Sequence, residues 1–221
     1  MNTNSRGLDN FFKSFPKYSY KKGEIILRPD DTPSHLYYLT QGHVKVYALA
    51  EWGEELLYVI YRPGEFFPII WMLQSSPLTG YFEAMDKVVI HRVPKEDLVK
   101  HLATNNEQAM NFADYLIDIM NIYRHRIENL MYTKASIRLI SRLIYLADRF
   151  GSKVGSGMLI DAPITHKDIA TSISMTRETV SREFEKLVKK GILSYRGKSI
   201  FIKDVKKLLN ELKDHKLKDS L

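Results

Sequence analysis

The 221-residue sequence contains no cysteine. That excludes disulfides, thiolate zinc sites, cysteine-ligated iron–sulfur clusters and a cysteine nucleophile. Long apolar runs are missing too. The longest, Phe66 to Leu73, is interrupted by Pro68 and falls far short of the ~20 residues a membrane span requires. Met1 to Asn10 carry no apolar signal core, so a cytoplasmic protein with no membrane partner is expected. Internal repeats and low-complexity stretches are absent, and residues 105–132 contain neither glycine nor proline. What remains is an ordinary globular composition, 44% hydrophobic and 27% charged, long enough for one or two domains.

The charge is unevenly placed. The net +7 divides into 14 Lys+Arg against 16 Asp+Glu over residues 1–133, a charge of −2, and 19 against 10 over residues 134–221, a charge of +9. A basic C-terminal module beside a near-neutral N-terminal one points to a polyanion partner, nucleic acid first. A basic surface kept for solubility explains the charge alone equally well.

Leu8 to Phe15 reads as a short helix with Phe11, Phe12 and Phe15 on one side. From Tyr18 to about Pro94 the pattern is that of short strands broken by Gly, Pro and Asp turns, which indicates a small β-barrel or sandwich. The period changes after a short helix beginning near Lys95. Ala113, Leu116, Met120, Tyr123, Ile127 and Leu130 then recur at 3-4-3-4-3, the spacing of a coiled-coil seam. Ile117, Ile119 and Ile122 lie off that seam and predict a second apolar face, docked on the β-domain. A self-associating helix is expected, against the plainer reading of an amphipathic helix packed only on its own domain. Ser136 to Phe150 follows as another helix with Gly151 as its C-cap, so the two halves meet at a bend near Tyr132–Ser136 rather than a tether. The expected division is residues 1–104 as a β-roll, 105–133 as a dimerisation helix and 134–221 as a DNA-binding module.

The densest signal runs from Thr165 to Arg182. Thr165 suits an N-cap with Asp168 completing a capping box, and Thr176 suits the N-cap of a second helix. Val180, Phe184, Leu187 and Val188 form the second helix's buried stripe. Arg177, Glu178, Ser181, Arg182 and Glu185 are left outside. Such a face suits base reading, since arginine matches guanine O6 and N7 with two parallel bonds and glutamate accepts from cytosine N4. Thr165, Lys167 and Thr176 are candidates for phosphate contact. The bland alternative is a Glu178–Arg182 surface pair worth ~0.3–0.5 kcal/mol. Gly191 to Ile202 reads as a hairpin whose tip carries Arg196 and Lys198, both placed for phosphates. Helix, helix and basic hairpin describe a winged helix. Asp204 to Lys218 forms a last helix whose lysines make a solvated face.

From Tyr18 to Asp204 the chain resembles the Crp/Fnr superfamily of bacterial transcription regulators. The resemblance rests above all on Thr176-Arg177-Glu178-Thr179-Val180-Ser181-Arg182, and also on Lys22-Gly23-Glu24, Leu39-Thr40-Gln41-Gly42 and Pro63-Gly64-Glu65-Phe66-Phe67. It implies an α+β architecture: an N-terminal antiparallel, jelly-roll-like β-roll of the cyclic-nucleotide-binding type, a long dimerisation helix and a C-terminal winged helix-turn-helix. It implies base reading by Arg177, Glu178, Ser181 and Arg182, and a homodimer on double-stranded DNA with an inverted-repeat operator. RNA polymerase is a further candidate partner.

The effector region departs from the cyclic-AMP-binding relatives. Pro68-Ile69-Ile70 stands where they carry Gly-Glu-Leu, and Leu78-Thr79 where they carry an Arg-Ser or Arg-Thr pair for the cyclic phosphate. No cofactor is expected, and His35, His43, His91, His101 and His125 are too scattered to indicate haem or a metal. Phe66, Phe67, Ile69, Trp71 and Thr79 mark either a filled core or a candidate pocket for a small apolar effector. The competing readings are a cyclic-nucleotide- or haem-responsive regulator and a protein-interaction module that does not bind DNA. No nucleophile–base or paired-carboxylate set suggests an enzyme.

Overall fold

The structure, a computed structural model, describes residues 8–51 and 53–218, with side chains at all of these except residue 72 and those beyond 213. Met72 of the apolar stretch and the last lysines of the final helix therefore lie, as side chains, outside the described residues. The chain divides into two compact units, one ending at Ile122 and the next beginning at Tyr123.

The first unit opens with α1 (Asp9–Lys13) and continues through β1 (Lys17–Tyr20), β2 (Ile25–Leu27), β3 (His35–Gln41), β4 (Val44–Leu49), β5 (Glu55–Tyr61) and β6 (Phe66–Phe67). Then come α2 (Ile69–Gln74), β7 (Tyr81–Ala84), β8 (Val88–Pro94), α3 (Lys95–Thr104) and the start of α4 (Asn106–Met131). Two four-stranded sheets form, in the orders β1-β8-β3-β6 and β2-β7-β4-β5. All their pairings are antiparallel. Neighbouring strands are thus drawn from distant sequence, as a jelly-roll-like β-roll requires.

The alternation of β4 places Val44 and Val46 in the core, and β8 contributes Val88, Ile90 and Val93. Phe66 is buried between α1 and α4. Its ring stacks on Tyr115 at 4.0 Å and on Phe112 at 5.6 Å, and packs against Phe12 at 4.9 Å. The Tyr115 hydroxyl accepts from the Phe66 amide (3.1 Å) and donates to the Phe66 carbonyl (3.0 Å). Strand β6 is only two residues long, so its outer backbone groups need such a partner when buried. The face of α4 docked within this unit is Phe112, Tyr115, Ile119 and Ile122, all buried.

The candidate effector residues differ in burial. Phe66, Phe67 and Ile69 are core, Trp71 is half-buried and Thr79 is exposed. Phe67 stacks on Tyr37 at 5.7 Å and on Phe82 at 5.3 Å, and Trp71 meets Phe82 edge-on at 5.9 Å.

The seam of α4 needs a correction of register. Met120 and Ile127 stand 70% and 63% exposed, but Leu116, Tyr123 and Leu130 are half-buried. Ile117, expected on the docked face, is 55% exposed. The solvent-facing apolar line is Met110, Ile117, Met120, Ile127 and Met131, with Ala113 half-buried along it. The reason is geometric. Successive residues of a helix lie ~100° apart, and Leu116/Ile117 and Leu130/Met131 are both apolar, so spacing alone admits either row.

The second unit contains the end of α4, α5 (Ala135–Phe150), β9 (Gly151–Val154), β10 (Gly157–Ile160), α6 (His166–Ser172), α7 (Arg177–Lys189), β11 (Leu193–Arg196), β12 (Ser199–Ile202) and α8 (Val205–Lys218). Its sheet runs β11-β12-β10-β9. The β9–β10 hairpin was not anticipated from the sequence. Gly151 is the C-cap, but with ordinary extended angles. It must be glycine because a Cβ would collide with the Ala147 carbonyl and Met158.

The bend after α4 is tied by Arg138. Its guanidinium donates to the carbonyls of Tyr132 (2.6 Å), Ile173 (3.3 Å) and Leu130 (3.4 Å). Asn129 returns a bond from its amide to the Arg138 carbonyl (2.9 Å), and Arg126 donates to the Ser172 carbonyl (3.2 Å). The last turn of α4, the first turn of α5 and the end of α6 are thereby held as one piece.

Candidate nucleic-acid interface

Thr165 caps α6 as its residue type predicts. Its Oγ1 accepts from the Asp168 amide at 3.2 Å, and the Asp168 carboxylate accepts from the Thr165 amide at 2.8 Å. A capping box of this kind stabilises a helix by ~1 kcal/mol. The Thr165 hydroxyl also donates to Asp168 at 2.5 Å. Its hydrogen is therefore committed inside the cap rather than offered to a phosphate.

The turn between α6 and α7 passes through Ser174 at φ +52°. This is left-handed backbone, which a glycine adopts at no steric cost and which most residues enter at ~1–2 kcal/mol. Thr176 then caps α7. Its Oγ1 accepts from the Thr179 amide at 3.2 Å and shares a hydrogen with the Thr179 hydroxyl at 2.9 Å.

Helix α7 buries Val180, Phe184 and Leu187. Val188, expected in the same stripe, is 38% exposed; it follows Leu187 directly, ~100° around the helix. On the opposite face Arg177, Glu178, Ser181, Arg182 and Glu185 line one shallow depression. The four expected base-reading residues are brought together, with three of them exposed and Ser181 half-buried. Glu178 and Arg182 form no ion pair with each other among the described residues, so both remain turned outward.

A second groove is lined by Thr165, His166, Lys167, Arg177 and Tyr195. It joins the starts of α6 and α7 to the wing strand β11. Two of these residues, His166 and Tyr195, were not singled out by sequence reasoning. His166 Nδ1 lies 2.9 Å from Ser181 Oγ, and the Tyr195 hydroxyl lies 2.6 Å from His166 Nε2. The imidazole packs on Phe184 at 4.8 Å, and Tyr195 stacks on Phe184 at 5.1 Å. Burial, and then the Arg177 charge, push the His166 pKa below its usual value. His166 is the first residue of α6 and Ser181 the fifth of α7, and no spacing rule connects the two.

The wing turns at Gly197 (φ +61°) with Arg196 paired to Ser199. Arg196 and Lys198 are both exposed. The Arg196 guanidinium lies 3.8 Å over the Phe201 ring, which limits the side chain's freedom while leaving its charge outward. Among the described residues no group of three or more His, Cys, Asp or Glu could hold a metal. Likewise, no helix is long and apolar enough to cross a membrane.

Comparison with known proteins matches two segments of the chain to two families. Residues 17–105 match the family described as the cyclic nucleotide-binding domain, and residues 137–211 match the Crp-like helix-turn-helix domain. A global nitrogen regulator from Nostoc sp. is 27% identical over 209 residues, covering 90% of this chain and 94% of that protein. A CRP-like cAMP-activated global transcriptional regulator from Mycobacterium tuberculosis is 23% identical, covering 89% and 88%. Among solved structures, a CooA mutant from Carboxydothermus hydrogenoformans superimposes with TM-score 0.79 at 23% identity, covering 96% and 97%. FixK2 from Bradyrhizobium japonicum gives 0.76 at 24%, covering 88% and 96%. Both structures share the fold of this chain.

Proposed function

Starting from its membership of the Crp/Fnr family, to which this chain belongs as a DNA-binding transcriptional regulator, we propose that it acts as a homodimer on an inverted-repeat operator and does not respond to cyclic nucleotides. The observation that carries the operator reading is the outer face of α7. Arg177, Glu178, Ser181 and Arg182 lie on one depression, with Arg196 and Lys198 at the wing tip. That separates base-edge groups from phosphate-binding groups in the way sequence recognition requires.

The dimer reading rests on the apolar line of α4. Met110, Ile117 and Met131 fall on one heptad position, and Ala113, Met120 and Ile127 on the other. Five of these six side chains face solvent, and a second copy presenting the same line would bury them. In vitro selection from a random DNA pool tests both readings together. Recovered sites should contain two inverted half-sites with centres ~34 Å apart or a multiple. Recovery of asymmetric sites, or of none, would refute the proposal.

The ligand reading rests on charge. A cyclic phosphate held at Leu78-Thr79 would lack an arginine at that pair, and a phosphate enclosed without its counter-charge costs on the order of several kcal/mol. A competing reading, activation by cyclic AMP, is favoured by the family match over residues 17–105 and by the description of the M. tuberculosis relative as cAMP-activated. Titration calorimetry with cyclic AMP and cyclic GMP decides between them, and micromolar affinity for either would overturn the proposal.

A further inference from the structure

Side chains from α6, α7 and β11 meet in one hydrogen-bonded line, Tyr195–His166–Ser181, at 2.6 and 2.9 Å. A neutral imidazole has one N–H and one lone pair, so the directions of its two bonds are coupled. If Tyr195 donates to Nε2, then Nδ1–H donates to Ser181 Oγ, and the Ser181 hydrogen is left for an outside acceptor. If the line runs the other way, Ser181 spends its hydrogen on Nδ1 and presents only lone pairs. A phenol is the more acidic hydroxyl, and so the better donor to nitrogen, which favours the first direction. The major groove is rich in acceptors: guanine N7 and O6, adenine N7 and thymine O4.

We propose that His166 and Tyr195 are positioning residues that hold the Ser181 hydroxyl as a donor toward a base-edge acceptor. This rests on α7 being the recognition helix. The charged groups facing the line fit the assignment: Lys167 on α6 and Arg177 on α7 share the groove with the imidazole, and Glu185 on α7 acts on Tyr195. Burial and then Arg177 keep His166 neutral. Burial and then Glu185 keep the Tyr195 phenol protonated, as a donor must be. Phe184 beneath both rings fixes their planes. His166 and Tyr195 act through Ser181 and need not touch a base.

Two measurements test the assignment. The first compares base preference at each operator position for wild type, Ser181→Ala, Tyr195→Phe and His166→Phe. All three variants should relax the same position, by about fivefold, as expected for one neutral hydrogen bond. Tyr195→Phe combined with Ser181→Ala should lose no more than Ser181→Ala alone. An unchanged preference in Tyr195→Phe, or a uniform loss on all sequences, would overturn the assignment. The second is the imidazole nitrogen spectrum of the DNA-free protein. Wild type should show the Nδ1–H tautomer, and Tyr195→Phe should shift toward Nε2–H. An Nε2–H tautomer in wild type would overturn the relay. Should wild type select no sequence at all, the recognition-helix reading fails, and the spectrum alone decides whether the relay exists.

Discussion

Arg177 and Arg182 stand three and eight residues past Ser174, on a face that neither packs nor pairs them with Glu178. In the proposed recognition role their worth would be realised against DNA rather than in the fold. Arg177→Ala or Arg182→Ala should each weaken binding to a selected operator by ~1–3 kcal/mol and relax base preference, with little change in thermal stability. Operator affinity equal to wild type in both variants would remove them from the reading face. Ser174 presents the opposite case, a cost to the fold with no partner to offset it. Its φ of +52° makes Ser174→Gly an expected stabilisation of up to ~1 kcal/mol, part of the left-handed penalty being lost to glycine's greater unfolded-state entropy. The urea midpoint should rise accordingly. His166 adds a pH term. Its folded pKa lies below the ~6.5 of an unfolded histidine, so the unfolded chain takes up more protons between the two values. Stability should fall as pH drops below ~6.5 and level off below the folded pKa. His166→Phe should flatten that part of the midpoint-against-pH curve, and a curve parallel to wild type would contradict this.

Among the elements, α4 carries two apolar rows with different fates. Phe112, Tyr115, Ile119 and Ile122 are consumed inside the first unit, while Met110, Ile117, Met120, Ile127 and Met131 are left outside. A glutamate on the outer row costs nothing in the monomer core but would bring unpaired carboxylates into a helix–helix seam. Ile117→Glu together with Met120→Glu should therefore give monomers by equilibrium sedimentation while leaving the far-ultraviolet spectrum unchanged. An unchanged dimer would show that association uses another surface. The wing illustrates how sequence and packing combine. The tip residues Arg196, Gly197 and Lys198 were readable as a turn, but the sheet beneath them depends on β10 pairing with β12. At the start of β10, Gly157 leaves room for the partner strand, since a Cβ there would strike the Ile202 carbonyl and the Phe201 ring.

For the whole molecule, the +7 charge is the sum of −2 and +9, and the basic half carries the α7 face and the wing. Binding driven by phosphate neutralisation should weaken linearly in log salt, with a slope of about −0.9 per phosphate engaged. Lys198→Ala should lower affinity for all sequences alike and reduce that slope by about one. An affinity unaffected by salt would place the basic surface outside the interface. The Arg138 bonds to Leu130, Tyr132 and Ile173 show why a bend rather than a tether follows α4. The end of that helix is fastened to the turn that presents α7.

The sequence by itself determined the α+β architecture, the capping box at Thr165 and Asp168, and the outward set on α7. These are local properties: alternation, cap chemistry and a single helical stripe suffice for them. It also placed charge where a polyanion would bind. Tertiary structure alone decided three matters. It chose between adjacent apolar rows of α4, because only docking of Phe112 and Tyr115 onto Phe66 fixes the helix's rotation. It brought the rings of Phe67 and Trp71 against Phe82. It also joined His166 to Ser181 and Tyr195, which lie 15 and 29 residues further along the chain. Hydrogen bonds of that range follow from how helices cross, and helix crossing is set by packing rather than by periodicity.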